Sequence, residues 1–398
     1  MSNWKTYKLS DFAEINPRIY LKQGNEYSFV EMKDLDATFK YVTPSAKKEL
    51  KGGAKFENGD TLFARITPCL ENGKICQVKE LENNVGFGST EFLIFRGKDN
   101  ISDTDFVYYL MRSDYVRNNA IQMMSGTSGR QRVEKSALEE LEIQVPDLTT
   151  QKEITQILSS LDNKIELLQQ MNQTLENIAQ TIFKEWFVDF NFPGFDGELV
   201  DGLPKGWKEC ILKDFGKIVC GKTPSKAIDE YFGGEYMFIK IPDMHNTVFV
   251  TNTNDTLTQE GINSQSNKTL PAFSICISSI ATVGLVCLNP KPCQTNQQIN
   301  AIVPKDSFLK YYLYFLASSM KETFVSTASG GTATLNMNTS QFSNLSAIYP
   351  HNDILIEFDE KVSPLMEKIL QNQYQIQTLT QTRDTLLPEL MSGNLEIN

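Results

Sequence analysis

Histidine is nearly missing from this chain: His245 and His351 are the only two in 398 residues. That excludes a His-rich metal centre and argues against a Ser/His/Asp or Cys/His nucleophilic site. There is no GxxxxGK(S/T) loop to cradle ATP, and no strand-linked GxGxxG to hold a dinucleotide or S-adenosylmethionine. One nuclease-like pattern, Pro146-Asp147 followed by Asp162-Asn163-Lys164, puts its later members on an expected helix. Nuclease carboxylates converge on a metal from adjacent strands, so the pattern is discounted and the chain reads as a non-enzyme. Long apolar runs are absent too, so no membrane span of about 18 residues is expected, and the opening "MSNWKTYKLS" has no apolar signal region. The seven cysteines are odd in number and form no CxxC pair. They point to reduced thiols and a cytoplasmic location.

Acidity is present, but locally. The net charge is −11, yet residues 1–150 carry 20 Lys+Arg against 22 Asp+Glu, and residues 201–350 carry 12 against 11. The segments 151–200 and 351–398 each hold 3 against 8. Two near-neutral regions therefore alternate with two acidic ones. Phosphate contacts depend on local charge, so an acidic total does not exclude DNA binding by the neutral regions.

The alternation reflects a duplication. "WKTYKLSDF" at Trp4–Phe12 matches "WKECILKDF" at Trp207–Phe215, 203 residues later. "MSGTS" at Met124 faces "ASGGT" at Ala328, and "VPD" at Val145 faces "YPH" at Tyr349, both 204 residues later. After Pro146 a 3,4 spacing runs through Leu158, Leu161, Ile165, Leu168, Asn172, Leu175, Ala179, Ile182 and Trp186. The same register returns in Val362, Leu365, Ile369, Asn372, Ile376, Leu379, Arg383, Leu386 and Leu390. This is the seam of a coiled coil, with polar interruptions that fix register at some cost in stability. Each seam is roughly 43 Å long at the rise of an α-helix. The flanks are Gln, Asn and Glu, so each helix is expected to pair with the other, antiparallel, across a pseudo-twofold.

Within the lobes, "DTLFARI", "EFLIFRG", "YMFIKIP", "FSICISSI" and "INAIVP" read as short strands. "DTDFVYYLMRSDYVRNNAIQ" and "SFLKYYLYFLASSMKETFVS" each read as a helix. The expected fold is thus mixed α+β: two α/β lobes separated by two long helices. The expected domains are residues 1–150, a spacer helix at 151–190, a second lobe at 191–352 and a C-terminal spacer helix at 353–398. Phe183, Trp186, Phe187, Phe190, Phe192 and Phe195 cluster where the first helix meets the second lobe. They are expected to anchor that junction, with Phe187 or Phe190 left exposed for a partner. The polar loops "SGTSGRQR" (Ser125–Arg132), "SGGTATLNMN" (Ser329–Asn338), "ARITPCLENGK" and "CQTNQQIN" offer groups suited to phosphates and base edges.

Taken in order, "LFARITPCLENGKI", "GSTEFLIFR", "IFKEWFVDFNFP", "GKTPSKAIDEYFGGEYMFIKIPDM", "TNQQINAIVP" and "RDTLLPELMSGNLEI" resemble the specificity subunit of type I restriction–modification enzymes. The resemblance spans essentially the whole chain. It implies two target-recognition domains, each reading half of a bipartite site in double-stranded DNA, with the coiled coil as a ruler. It implies two methyltransferase subunits and nuclease/translocase subunits as partners. S-adenosylmethionine, ATP and magnesium would then belong to those partners, with no cofactor in this chain. Candidate DNA contacts in the first lobe are Arg65, Thr67, Lys74, Ser89, Thr90, Ser128, Arg130 and Arg132. In the second they are Lys222, Thr223, Ser225, Lys240, Ser279, Asn296, Gln297, Thr332 and Asn336. Lobes about 40 Å apart would reach major-groove faces separated by about one turn of DNA, roughly 34–36 Å. The competing reading is a coiled-coil scaffold whose lobes bind proteins or glycans.

Overall fold

Two helices of 40 residues each, Leu148–Phe187 and Asn352–Met391, frame the structure, and both ends of the second lie 204 positions after those of the first. The computed structural model describes residues 4–127, 129–328 and 335–395. They form two units: residues 1–167 with 377–398, and residues 168–376. Each unit therefore owns a lobe and a stretch of both long helices.

In the first unit, Ala13–Ile15, Phe92–Gly97, Thr61–Ala64, Ile75–Val78 and Tyr41–Val42 lie side by side in that order. All neighbours are antiparallel except the last pair. Thr61–Ala64 is buried along its whole length because the sheet separates two cores. Phe63, Leu93 and Phe95 face the core shared with the helices, and Leu62, Cys76 and Ile94 face the other. Side chains alternate across a strand, so burial on both faces requires the near-continuous apolar runs seen in the sequence. A second sheet orders Ala46–Glu49, Glu26–Val30, Val85–Gly88 and Ala54–Glu57 around a parallel central pair.

The second unit repeats this plan. Gly216–Cys220, Ile299–Pro304, Ile275–Ser278 and Val286–Leu288 form an antiparallel sheet. Thr256–Leu257, Phe232–Ile239 and Cys293–Thr295 form another, whose last pair is parallel. Each lobe is closed by one two-stranded ladder, Lys5–Lys8 with Glu142–Val145 and Lys208–Ile211 with Ser346–Tyr349. All four rungs recur, Lys5 opposite Val145 becoming Lys208 opposite Tyr349.

The segment 103–122, expected as one helix, is two. Thr104–Arg112 stops at Ser113, whose ψ of 147° leaves the helix and whose Oγ accepts a bond from the Val116 amide to start Asp114–Gln122. Its counterpart divides likewise into Lys310–Ser319 and Lys321–Ala328.

Helix pairing is antiparallel within each unit. In the second, Asn372 donates to Asn172 Oδ1 at 2.8 Å, while Phe183, further along the first helix, meets Phe358, earlier on the second. In the first, Ile154 and Leu158 share a core with Leu387 and Leu390. Beside them Arg383 donates to Asp162 Oδ1 at 2.8 Å, both side chains 2 % exposed. Tyr109 donates to the other oxygen of Asp162 at 2.6 Å. The carboxylate of the discounted nuclease-like pattern is thus the buried partner of a seam arginine.

Lobe and helices are fastened differently in the two units. The ammonium of Lys40, also buried, reaches Asp105 and Ser159 and faces the rings of Tyr41, Tyr108 and Tyr109 at 5.0–5.5 Å. In the second unit Phe183 and Phe187 pack on Tyr312, Phe358 and neighbouring rings. Phe187 is therefore buried, at 6 % exposure, and is unavailable to a partner; Phe190 is half-buried against Trp207 and Phe195.

Candidate nucleic-acid interface

At the end of strand Thr61–Ala64 the chain turns through Arg65, Ile66 and Thr67, and "GRQR" lies alongside. The Val133 amide donates to Arg65 O at 3.0 Å, and Ile66 bridges Arg132. The Thr67 amide donates to Gln131 O, and the Gln131 amide returns a bond to Thr67 Oγ1 at 3.1 Å. Ser125 and Arg132 exchange both backbone bonds at 2.9 Å. This ladder brings Arg65, Thr67 and Arg132 together.

Glu91 joins them. Its carboxylate accepts from Arg132 Nε and Nη2 at 2.7–3.0 Å and from Arg65 Nε at 3.4 Å. The Arg132 hydrogen bonds hold the Glu91 carboxyl below the usual glutamate range, against partial desolvation. Arg132 is raised in turn by the same pair. Glu134 Oε2 lies 4.0 Å from Arg65 Nη1, so two carboxylates balance the two guanidinium groups, and Arg132 Nη1 donates to Arg130 O at 3.4 Å. Ser89 Oγ accepts from the Glu91 amide at 3.1 Å, and exposed Thr90 lines a nearby cavity of about 430 Å³ with Arg18 and Lys55. Arg130 is exposed on the same turn. Lys74 is directed inward, its ammonium donating to Met32 O at 2.9 Å. Ser128 lies outside the described residues.

The second lobe builds the same ladder from other side chains. The Met337 amide donates to Ser279 O at 2.9 Å, and Ile280 bridges Asn336. The Ser279 amide donates to Gln298 O at 2.8 Å, as Arg65 does to Glu91 O at 3.0 Å. Ser279, Gln298 and Asn336 therefore stand where Arg65, Glu91 and Arg132 stand in the first lobe. Ser279 is buried, and its Oγ accepts from Asn300 Nδ2 at 2.9 Å. Asn296 is buried as well and binds Gln298. Asn336 and Gln297 are exposed, and Gln297 Oε1 accepts from Thr223 Oγ1 at 2.8 Å.

Lys222 is exposed, and its amide donates to Thr295 O. A Cβ at Gly221 would lie 2.2 Å from Asn296 O, so only glycine permits this approach. Lys240 is paired with Asp255. Ser225 is exposed just beyond this cluster, and Thr332 lies outside the described residues. Glu91, Gln298 and Asp255 are members of these clusters that the sequence alone does not single out. The one sequence signal for Glu91 is a lone acid between hydroxyl residues and an apolar strand, close to a loop rich in arginine.

Among the described residues no group of three or more His, Cys, Asp or Glu side chains is placed to hold a metal ion. No helix among them is long and apolar enough to cross a membrane. All seven thiols are free.

Residues 1–177 and again 204–381 match the family described as "Type I restriction modification DNA specificity domain", the second match displaced by the repeat length. The chain is 37% identical to the type I restriction enzyme HindI specificity subunit of Haemophilus influenzae, over 99% of this chain and all of that protein. It is 27% identical to the MjaIX specificity subunit of Methanocaldococcus jannaschii, over 99% and 94%. The fold is similar to the crystal structure of a type I restriction–modification S subunit from M. genitalium, with a TM-score of 0.57, 16% identity and coverage of 100% and 97%.

Proposed function

The chain belongs to the family of type I restriction–modification specificity subunits, and on that premise we propose that each lobe reads one half of a split DNA target. Subunits of this family recognise DNA and act with methyltransferase and restriction subunits, which carry the catalytic activities. The observation that carries the division of labour is the repeated ladder. One backbone framework holds Arg65, Glu91 and Arg132 in the first lobe and Ser279, Gln298 and Asn336 in the second, where Ser279 is buried and Asn336 is the exposed member. A constant frame with different donors and acceptors is what reading two different base sequences requires.

On this reading Arg130 and Arg132 address guanine edges or phosphates, while Thr67, Ser89 and Thr90 supply nearby donors and acceptors. In the second lobe Asn336 and Gln297 suit adenine, with Lys222, Thr223 and Ser225 at the backbone. Lys74, Ser279 and Asn296 shape the turns on which these residues sit. Two methyltransferase subunits bind the acidic helical regions, the nuclease/translocase subunits join them, and S-adenosylmethionine, ATP and magnesium are held by those partners. The complex works in the cytoplasm, and the recognition domains are residues 1–150 and 191–352, with spacers at 151–190 and 353–398.

Co-expression with methyltransferase subunits followed by genome-wide methylation mapping tests this. The expected motif has two short half-sites separated by a few unread base pairs. A single continuous motif would overturn the assignment.

A further inference from the structure

Trp4 and Trp207 hold corresponding places, each directly before its lobe's closing strand and beside the end of a 40-residue helix. Their surroundings differ. Trp207 is buried by three rings: Phe187 at 5.8 Å, Phe190 at 5.5 Å edge-on, and Phe192 stacked at 5.2 Å. At the matching positions 204 residues later the sequence has Met391, Asn394 and Glu396. Trp4 touches Gly393, where an added Cβ would lie 2.9 Å from the indole, and it remains half-buried. Next to it, among the described residues of the first unit, opens a cavity of about 550 Å³ with an apolar wall of Trp4, Leu110, Ile143, Pro388 and Met391 and a polar side that includes Asp114 and Glu142. That volume is in the range of sites that enclose a ligand.

We propose that this cavity is an acceptor for an extended peptide segment carrying two phenylalanines one residue apart, the counterpart of Phe190-Asn191-Phe192-Pro193. The second unit shows what such a surface takes: a tryptophan at the end of the helix is covered by stacked and edge-on phenylalanine rings. The chain's own segment of this kind is engaged on Trp207, so the occupant comes from a different polypeptide, a partner subunit presenting the same Phe-X-Phe chemistry. The assignment does not depend on how the lobes read DNA, and a chain defective in DNA binding would keep the site.

The test titrates the full-length protein into a fluorescein-labelled peptide of residues 188–198, VDFNFPGFDGE, and follows fluorescence anisotropy. Saturable one-site binding is expected, at least tenfold weaker when both Phe190 and Phe192 of the peptide are alanine. Asn394→Phe places a ring at the position that corresponds to Phe190, and Ser392→Arg places a bulky cation at the mouth of the cavity. Both positions are exposed, so folding is kept. Each should weaken the peptide at least tenfold, and Asn394→Phe should also raise the melting temperature. Absence of saturation overturns the proposal. So does binding that both protein variants leave within tenfold of the wild type, since it would then lie at Trp207 or elsewhere.

Discussion

The two units solve the same packing problem with opposite chemistry. Asp162 and Arg383 meet in the buried seam of the first unit. The residues 204 positions from them are Met366 and Ala179, both fully buried in the core of the second. Arg112, at the base of the first lobe, donates to Tyr108 and to Ala37 O, while the second lobe turns Phe315 toward Phe183 and Phe358. The second unit keeps an ion pair between lobe and helix, Lys310 with Asp359 at 2.7 Å, but its seam at these positions is apolar, so a buried charge pair is not needed there. A buried ion pair is weak support for stability, because desolvation cancels much of the attraction. What it adds is intolerance of misalignment, since an Asp162 without its arginine is strongly unfavourable whereas Met366 accepts many neighbours. The first unit places its matched polar groups in the most buried part of the seam, whereas the second fills that part with bulk and keeps its ion pair, Lys310 with Asp359, nearer the surface.

Breaking the polar match should have the largest effect. Arg383→Ala strands the buried carboxylate and is expected to cost about 3–5 kcal/mol, read by denaturant unfolding with hydrogen exchange localising the loss to the first unit. Adding Asp162→Met, which copies the second unit, should recover most of it; no recovery would show that the ion pair itself holds the seam. Phe183→Ala attacks the other solution and should cost a similar amount, about 3–5 kcal/mol, but confined to residues 168–376. Unlike the first loss, it should not be relieved by changing a charged partner.

The comparison at the ladder is finer. Arg132→Ala should lower discrimination by about 1–3 kcal/mol at one half-site in methylation mapping, and Asn336→Ala should do so only at the other. Identical effects on both halves would sink the two-reader scheme. The smallest effect belongs to Glu91. Its carboxyl lies below the usual 4.5, chiefly through Arg132, so its contribution is complete above that value and is lost as pH falls through the lowered one. Protection of the Ser125, Gln131 and Arg132 amides should therefore fall in acid, and Glu91→Gln should remove that dependence.

The duplication and the seam are legible in the sequence because the apolar 3,4 spacing survives substitution and both long helices share their bounds. Strand positions are legible for the same reason, since strands buried on both faces must be apolar throughout. Polar partnership is not legible. Asp162 lies one residue off the seam, so its pairing with Arg383, 221 positions away, depends on how the helices align. Ser279 and Asn336 are both polar loop residues in the sequence, yet one is buried under Asn300 and the other faces solvent. Nothing local separates them. The ladder does, and its rungs join segments that the sequence keeps far apart.

The division of the chain also sets an order of assembly during synthesis. Residues 168–376 are contiguous and complete the second unit's core as they emerge. The first unit has nearly all of its lobe earlier, but Leu387 and Leu390 belong to its core and Arg383 neutralises Asp162. It must wait, with an uncovered apolar face and a carboxylate lacking its arginine, until residues 377–398 leave the ribosome. The usual vectorial order is thereby reversed, and a prematurely terminated chain is left with an exposed surface that quality-control proteases and chaperones can recognise.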